Sequence, residues 1–177
     1  MNKYFTLILM IIVVYCINCD KNDPTKSDVR FTDLVINEFL ASNHTNFSDE
    51  HGEFDDWIEI YNRGDIEVDL AGMYITDNFQ YPVKHKFSEN SGDSLVIQPG
   101  GFLLLWADKD TQDGAYHLNF QINAAGEEIA LIYSNGTTVL DSLSFNTQSA
   151  DTSMGRSPDG NNHWTLFTNP TPGESNQ

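Results

Sequence analysis

From Leu34 onward, apolar side chains come in short runs broken by Gly, Pro, Asn and Asp. The runs are Leu34–Leu40 (LVINEFL), Trp57–Asn62 (WIEIYN), Met73–Thr76 (MYIT), Leu95–Gln98 (LVIQ), Phe102–Trp106 (FLLLW), Glu128–Tyr133 (EIALIY) and Thr138–Phe145 (TVLDSLSF). Their length and β-rich composition predict strands. In WIEIYN, Ile58 and Ile60 flank Glu59, the period of a strand with one buried face. No window after residue 18 sustains a 3.6-residue period, so the pattern predicts an all-β domain, a sandwich or a barrel. FLLLW is apolar on both faces and is expected at the centre of a sheet, covered on both sides. Asn135-Gly136 predicts a type I′ hairpin between the last two runs. Pro99-Gly100-Gly101 predicts a tight reversal before FLLLW, and Asp159-Gly160 another turn near the end of the chain.

The N-terminus has a different pattern. Met1–Lys3 is a short polar start with one lysine, and Tyr4–Ile17 then runs apolar. As a helix, that run would reach about 21 Å, short of the roughly 30 Å hydrocarbon core of a bilayer. It has the form of a secretory signal. Both cysteines of the chain, Cys16 and Cys19, sit at its end. The remainder therefore has no disulfide framework and no cysteine-based zinc site. A cysteine closing such a segment predicts a lipoprotein, with Cys19 the acylated residue because Asp20-Lys21-Asn22-Asp23-Pro24 follows it, whereas Cys16 is followed by Ile17; two incidental cysteines of a discarded signal are the other reading. The acidic residues after Cys19 resemble export signals of cell-surface lipoproteins in some Gram-negative bacteria. The expected organisation is a signal peptide over residues 1–18, a flexible tether over 19–33 and one domain over 34–177. The expected location is the bacterial outer membrane, with the lipid anchor as the membrane contact.

Charge narrows the set of partners. Nine Lys and Arg against 26 Asp and Glu give a net charge of −17. Phosphate affinity derives from Lys and Arg, so a nucleic-acid-binding role is excluded as an expectation. Lys84-His85-Lys86 is the one basic cluster and makes no such footprint.

Several strings, taken in order, carry a family resemblance. They are Ile36-Asn37-Glu38-Phe39-Leu40-Ala41-Ser42-Asn43, Asp56-Trp57-Ile58-Glu59-Ile60-Tyr61-Asn62 and Val68–Asp77 (VDLAGMYITD). Ile97–Gly101 followed by Phe102–Asp108, Gly126-Glu127-Glu128, Gly155-Arg156, Pro158-Asp159-Gly160 and Pro170-Thr171-Pro172-Gly173 complete the set. The ordered set resembles bacterial lamin-tail domains from about residue 34 to 176, with Arg63 standing where that family often has Pro. The resemblance implies an immunoglobulin-like β-sandwich, in agreement with the strand pattern. It also implies an accessory binding or anchoring unit, since bacterial relatives often sit beside hydrolase modules and eukaryotic ones are tails of nuclear filament proteins. Fold alone does not assign an activity.

Two features offer binding chemistry. Asp49-Glu50-His51-Gly52-Glu53-Phe54-Asp55-Asp56 places five carboxylates in eight residues between two predicted strands. Hard cations take oxygen ligands, so Asp49, Glu50, Glu53, Asp55 and Asp56 are the candidate Ca²⁺ ligands; a solvated acidic loop, with Asp56 making a local turn contact, is the other reading. The second acidic stretch, Asp108–Gly114, fails the EF-hand pattern: its fifth position is Gln112, its glycine is one place late and no Glu closes it. None of the five histidines (His44, His51, His85, His117, His163) has a metal-site spacing. The loop Asp77–Pro82 carries Phe79 and Tyr81, the candidate ligand contacts. Trp57 and Trp106 fall inside strand patterns and are expected in the core. Arg156 is expected to pair with a carboxylate. No nucleophile elbow, P-loop or catalytic cysteine follows residue 19. The expected function is a non-catalytic binding or structural module recruiting a protein, glycan or surface partner. A Ca²⁺-dependent glycan-binding module and a small metal-dependent hydrolase are the rival readings.

Overall fold

The computed structural model describes residues 33–177; the expected signal, Cys19 and all but the last residue of the tether lie outside the described residues. Two antiparallel sheets face each other. One has the order β11 (Trp164–Phe167), β10 (Ser153–Arg156), β1 (Leu34–Leu40), β2 (Trp57–Asn62), β7 (Phe102–Trp106). The other runs β5 (His85–Lys86), β4 (Tyr74–Thr76), β8 (Gly126–Ile132), β9 (Val139–Asn146), and a ribbon of β3 (Val68–Asp69) with β6 (Val96–Ile97) closes one side. Phe39, Ile58, Ile60 and Leu105 from the first sheet meet Ile75, Ile129, Leu131 and Phe145 from the second, with Phe87, Leu118 and Phe120 from connecting segments filling the core.

A β-bulge in β1 decides what faces that core. The register shifts between Ile36 and Glu38, so Asn37 is the extra residue and the alternation changes phase. Leu34 and Ile36 point inward before it and Phe39 after it, all three in the core cluster. Glu38 and Leu40 are thereby turned to the outer face, beside Glu59 and Trp57 of β2.

That outer face is covered by the C-terminal segment. Glu38 and Glu59 are both fully buried. Thr171 donates its N–H (3.2 Å) and hydroxyl (2.8 Å) to Glu38, and Gly173 N–H donates to Glu59 Oε2 at 2.6 Å. Ser153 Oγ–H also donates to Glu38, and Asn37 Nδ2–H donates to Glu59 Oε1 at 3.0 Å. Gly155 lies beneath this layer because nothing larger fits. A Cβ there would stand 2.7 Å from Asn176 Nδ2 and 3.0 Å from Glu38 Cγ. Gly155→Ala is expected to destabilise the domain by about 1–3 kcal/mol and to make the C-terminal segment the first site of limited proteolysis. Unchanged protection of that segment would contradict its place as a packed cover.

Arg156 finds its carboxylate on the opposite sheet. Its Nη2 donates to Asp141 Oδ2 of β9 at 2.9 Å, its Nε to Ile36 O at 2.8 Å and its Nη1 to Asn161 O at 2.6 Å. The guanidinium also lies 4.7 Å from the centre of the Trp164 ring.

Two local expectations are corrected. FLLLW is an edge strand, since β7 ends its sheet, and Phe102, Leu103 and Leu104 are only half-buried. An apolar run reports covered faces, not paired edges. Leu105 packs into the sandwich core, while Trp106 and Leu104 pack on Leu40 and Trp57 outside it. Asn135-Gly136 does lie between β8 and β9, but only Gly136 has positive φ (74°) there. A type I′ turn needs positive φ at both central residues. The loop instead has four residues, closed by Tyr133 N–H to Thr138 O (2.8 Å), with Asn135 Oδ1 accepting from Thr137 and Thr138. The reversal at Pro99-Gly100 is present, with Gly100 at φ 69° and Gly101 N–H bonded to Gln98 O at 2.8 Å.

Candidate functional site

The loop between β1 and β2 is built around Asn43. Its Nδ2 donates to Phe47 O and Asp55 O, both at 2.9 Å, and its Oδ1 accepts from Asn46 N–H. Asp49 then folds the acidic stretch on itself: Oδ1 accepts from His51 N–H (2.9 Å) and Glu53 N–H (2.8 Å). Gly52, at φ 84°, makes the turn between them. A short polar side chain that takes nearby backbone N–H groups is the usual organiser of such a loop.

A second segment reaches the same place from β7. After Trp106 the chain loops out and returns beside it: Trp106 N–H bonds to Tyr116 O (2.8 Å) and Leu118 N–H to Trp106 O (2.7 Å). This brings His117, fully buried, against the acidic loop. Its Nδ1–H donates to Asp108 Oδ2, and its Nε2 lies 3.4 Å from Glu50 Oε1. Burial would lower the His117 pKa, but the Asp108 and Glu50 carboxylates outweigh it and hold the ring above its ordinary value. Burial, followed by the neighbouring Asp108, Asp49 and Glu53 carboxylates, pushes the Asp55 carboxyl up.

The sequence candidates separate here. Asp49, Glu53 and Asp55 place one ligand atom each within 4.8 Å of one another, and so do Asp49, Glu50 and His117. Asp56 stands outside both groups. Its Oδ1 accepts from Asn43 N–H at 2.9 Å, its carbonyl accepts from Ala107 N–H, and burial pushes its carboxyl up to about 6. Phe79 and Tyr81 are exposed and are not brought to the acidic cluster. Phe79 borders a different cleft, of about 230 Å³, with Pro82, Ile132 and Val139 on the second sheet. His117 and Asp108 carry no spacing signal in the chain; only the pairing of Trp106 with His117 joins them to Glu50.

Beside the acidic cluster runs an apolar cleft of about 430 Å³, lined by Phe47, Ser48, Asp49, Glu50, Tyr116 and the β7 residues Phe102, Leu103, Leu104 and Trp106. Its floor is a small apolar cluster of Leu40, Trp57 and Trp106 on the outer sheet face, so the two tryptophans are buried, as expected, but outside the main core. Phe47 stacks on Trp106 with ring centres 6.0 Å apart and is itself half exposed.

The model of the Lamin Tail Domain family matches residues 30–147, which spans β1 to β9. The chain belongs to the lamin-tail-domain family. No curated protein matches it, and neither does any solved structure. The family is a non-enzymatic, immunoglobulin-like domain, and the antiparallel sandwich of this lamin-tail domain is that fold. β10, β11 and the C-terminal cover lie beyond the matched residues. Among the described residues no helix is long and apolar enough to cross a membrane.

Proposed function

We propose that this lamin-tail domain is a non-catalytic binding module, exported and held at the outer membrane by a lipid on Cys19, which recruits a protein partner by pairing an extended segment with the edge of β7. The observation that carries this reading is the open, apolar edge. Ala107 N–H turns back to Asp56 O, whereas the N–H and C=O of Trp106 point away from β2 and are taken by Tyr116 O and Leu118 N–H, so the open part of the edge begins at Leu104. Alternation along the strand puts the backbone groups of Leu104 on that same outer side, and neither has a partner among the described residues. An unpaired edge with apolar flanks is a template for strand addition. Asp49 and Glu50 on the rim, on a domain of net charge −17, favour a segment with apolar residues at alternate positions and Lys or Arg around them.

A displayed peptide library tests the edge. The purified protein is expected to enrich such peptides, and Leu104→Lys, a charge at the edge, is expected to weaken their binding by about tenfold or more. Enrichment that ignores the substitution would overturn the reading. So would binding to a glycan array that depends on Phe47, which would make the ligand a sugar stacked on the aromatic wall. For the anchor, mass spectrometry of the Cys19→Ala protein is expected to show no acyl chain; persistent acylation would place it on Cys16.

A further inference from the structure

We propose that Asp49, Glu50 and His117 form a binding site for a divalent transition-metal ion of the Zn²⁺ class, with Asp108 as the outer carboxylate that orients the imidazole. The inference concerns residues next to the cleft and does not depend on what the β7 edge recruits.

Three observations support it. First, Asp49 is 8% exposed, and its two oxygens differ. Oδ1 is committed to two backbone N–H groups, while Oδ2 is buried with no hydrogen-bond partner. A buried carboxylate oxygen without a partner is costly, and a cation relieves that cost directly. Second, His117 has the arrangement of a metal-ligating histidine. Nδ1–H is held by Asp108, so Nε2, on giving up its proton to an incoming cation, presents a lone pair toward Glu50; a carboxylate behind the ring sets its tautomer and raises its basicity. Third, the spacing fits. The 3.4 Å between His117 Nε2 and Glu50 Oε1 is long for a charge-assisted hydrogen bond, which runs about 2.7–2.9 Å. It matches the edge of about 3.3 Å of a tetrahedron whose metal bonds are about 2.0–2.1 Å. All three ligand atoms lie within 4.8 Å of one another, so a small closure brings Asp49 into the set.

The donor set selects the metal. One imidazole nitrogen with two carboxylates suits Zn²⁺ and its neighbours, whereas Ca²⁺ and Mg²⁺ favour all-oxygen sites. The adjacent oxygen-only group, Asp49, Glu53 and Asp55, is the competitor and shares Asp49. An ion on His117 would join the 49–56 loop to the 108–118 segment, the two segments that form the acidic end of the cleft.

The test is calorimetric titration of the chelator-stripped protein with Zn²⁺, together with thermal melts. One Zn²⁺ per chain and a melting temperature raised by 100 µM Zn²⁺ are expected. Glu50→Gln, at a half-exposed position, and Asp108→Asn are each expected to weaken Zn²⁺ about tenfold or more. His117→Gln is expected to abolish binding; if that variant fails to fold, the other two decide. Co²⁺ titration should add a visible absorption band that the Glu50 variant alters. Absence of both heat and melting shift with Zn²⁺ would overturn the proposal and leave His117 as a buried imidazolium between two carboxylates. Binding of Ca²⁺ with Zn²⁺ silent would also overturn it, in favour of the oxygen-only group. So would Zn²⁺ binding that neither variant changes, since the ion would then sit elsewhere.

Discussion

Arg156→Met is expected to cost about 3–5 kcal/mol, the range found when one member of a buried charge pair is removed. The magnitude follows from what the guanidinium holds. It bonds Asp141 on β9, the Ile36 carbonyl on β1 and the Asn161 carbonyl. Asp141 Oδ2 in turn accepts from Ile36 N–H at 2.8 Å. Ile36 lies beyond the two residues of β1 that pair with β10, Glu38 and Phe39, and the Arg156–Asp141 pair takes both of its backbone groups. Without Arg156, a largely buried carboxylate and a buried carbonyl lose their partner together. Urea unfolding of the two single variants and of the Arg156→Met, Asp141→Leu double variant measures this. The double variant should lose less than the two singles combined, because it leaves no orphaned charge. Strict additivity would mean that the pair does not act as a unit.

Stability is expected to fall as pH rises from about 4.5 to about 8, with Glu59 the largest contributor and Asp56 a smaller one. Burial, opposed by the N–H donors of Asn37 and Gly173, pushes its carboxyl up to about 8 from 4.5. Below the lower value the side chain is protonated whether the chain is folded or not. Between the two values the unfolded chain has released the proton and the folded one retains it. The folded state then binds more protons, so stability declines with pH. Each tenfold difference in proton affinity between the two states is worth roughly 1.4 kcal/mol, so the loss by pH 9 is on the order of 4–5 kcal/mol. Glu59→Gln keeps the shape without the charge. The urea midpoint of this variant should change far less between pH 5 and pH 9 than that of the unsubstituted protein. Equal slopes in both proteins would rule out Glu59 as the source.

Much of the sandwich is legible in the sequence because alternation and turn residues are local signals. WIEIYN has the period of a strand, although the C-terminal segment and the outer apolar cluster bury its Glu59 and Trp57 face too, and Gly100 after Pro99 sets a reversal by backbone sterics alone. The less legible parts depend on contacts between distant residues. Nothing in LVINEFL announces that Asn37 is a bulge, yet this one extra residue turns Glu38 outward and leaves all seven residues of β1 buried. FLLLW has two apolar faces for two separate reasons, a core on one side and the Leu40–Trp57–Trp106 cluster on the other, so its place at the edge is hidden. The acidic loop stands out by composition, but composition does not separate Asp56, turned to Asn43, from Asp49, which has an oxygen to spare. His117 is sixty-eight positions from Asp49 in the chain, and only the return of the 107–118 segment alongside Trp106 brings them together.

The direction of β1 gives the molecule a polarity. Residues 19–33 enter the domain at Leu34, which pairs with Asn62, whereas Leu40 pairs with Trp57 and Trp57 with Trp106 at the other end of the strand. Over seven residues that separation is roughly 20 Å at about 3.3 Å per residue. A lipid on Cys19, as proposed, would be joined to Leu34 by a leash of at most about 50 Å when fully drawn out. Such a leash would pull on one end of the sandwich, and the Asp49–His117 cluster lies at the other. A domain anchored in this way would present its acidic end away from the bilayer, toward partners that never touch the membrane.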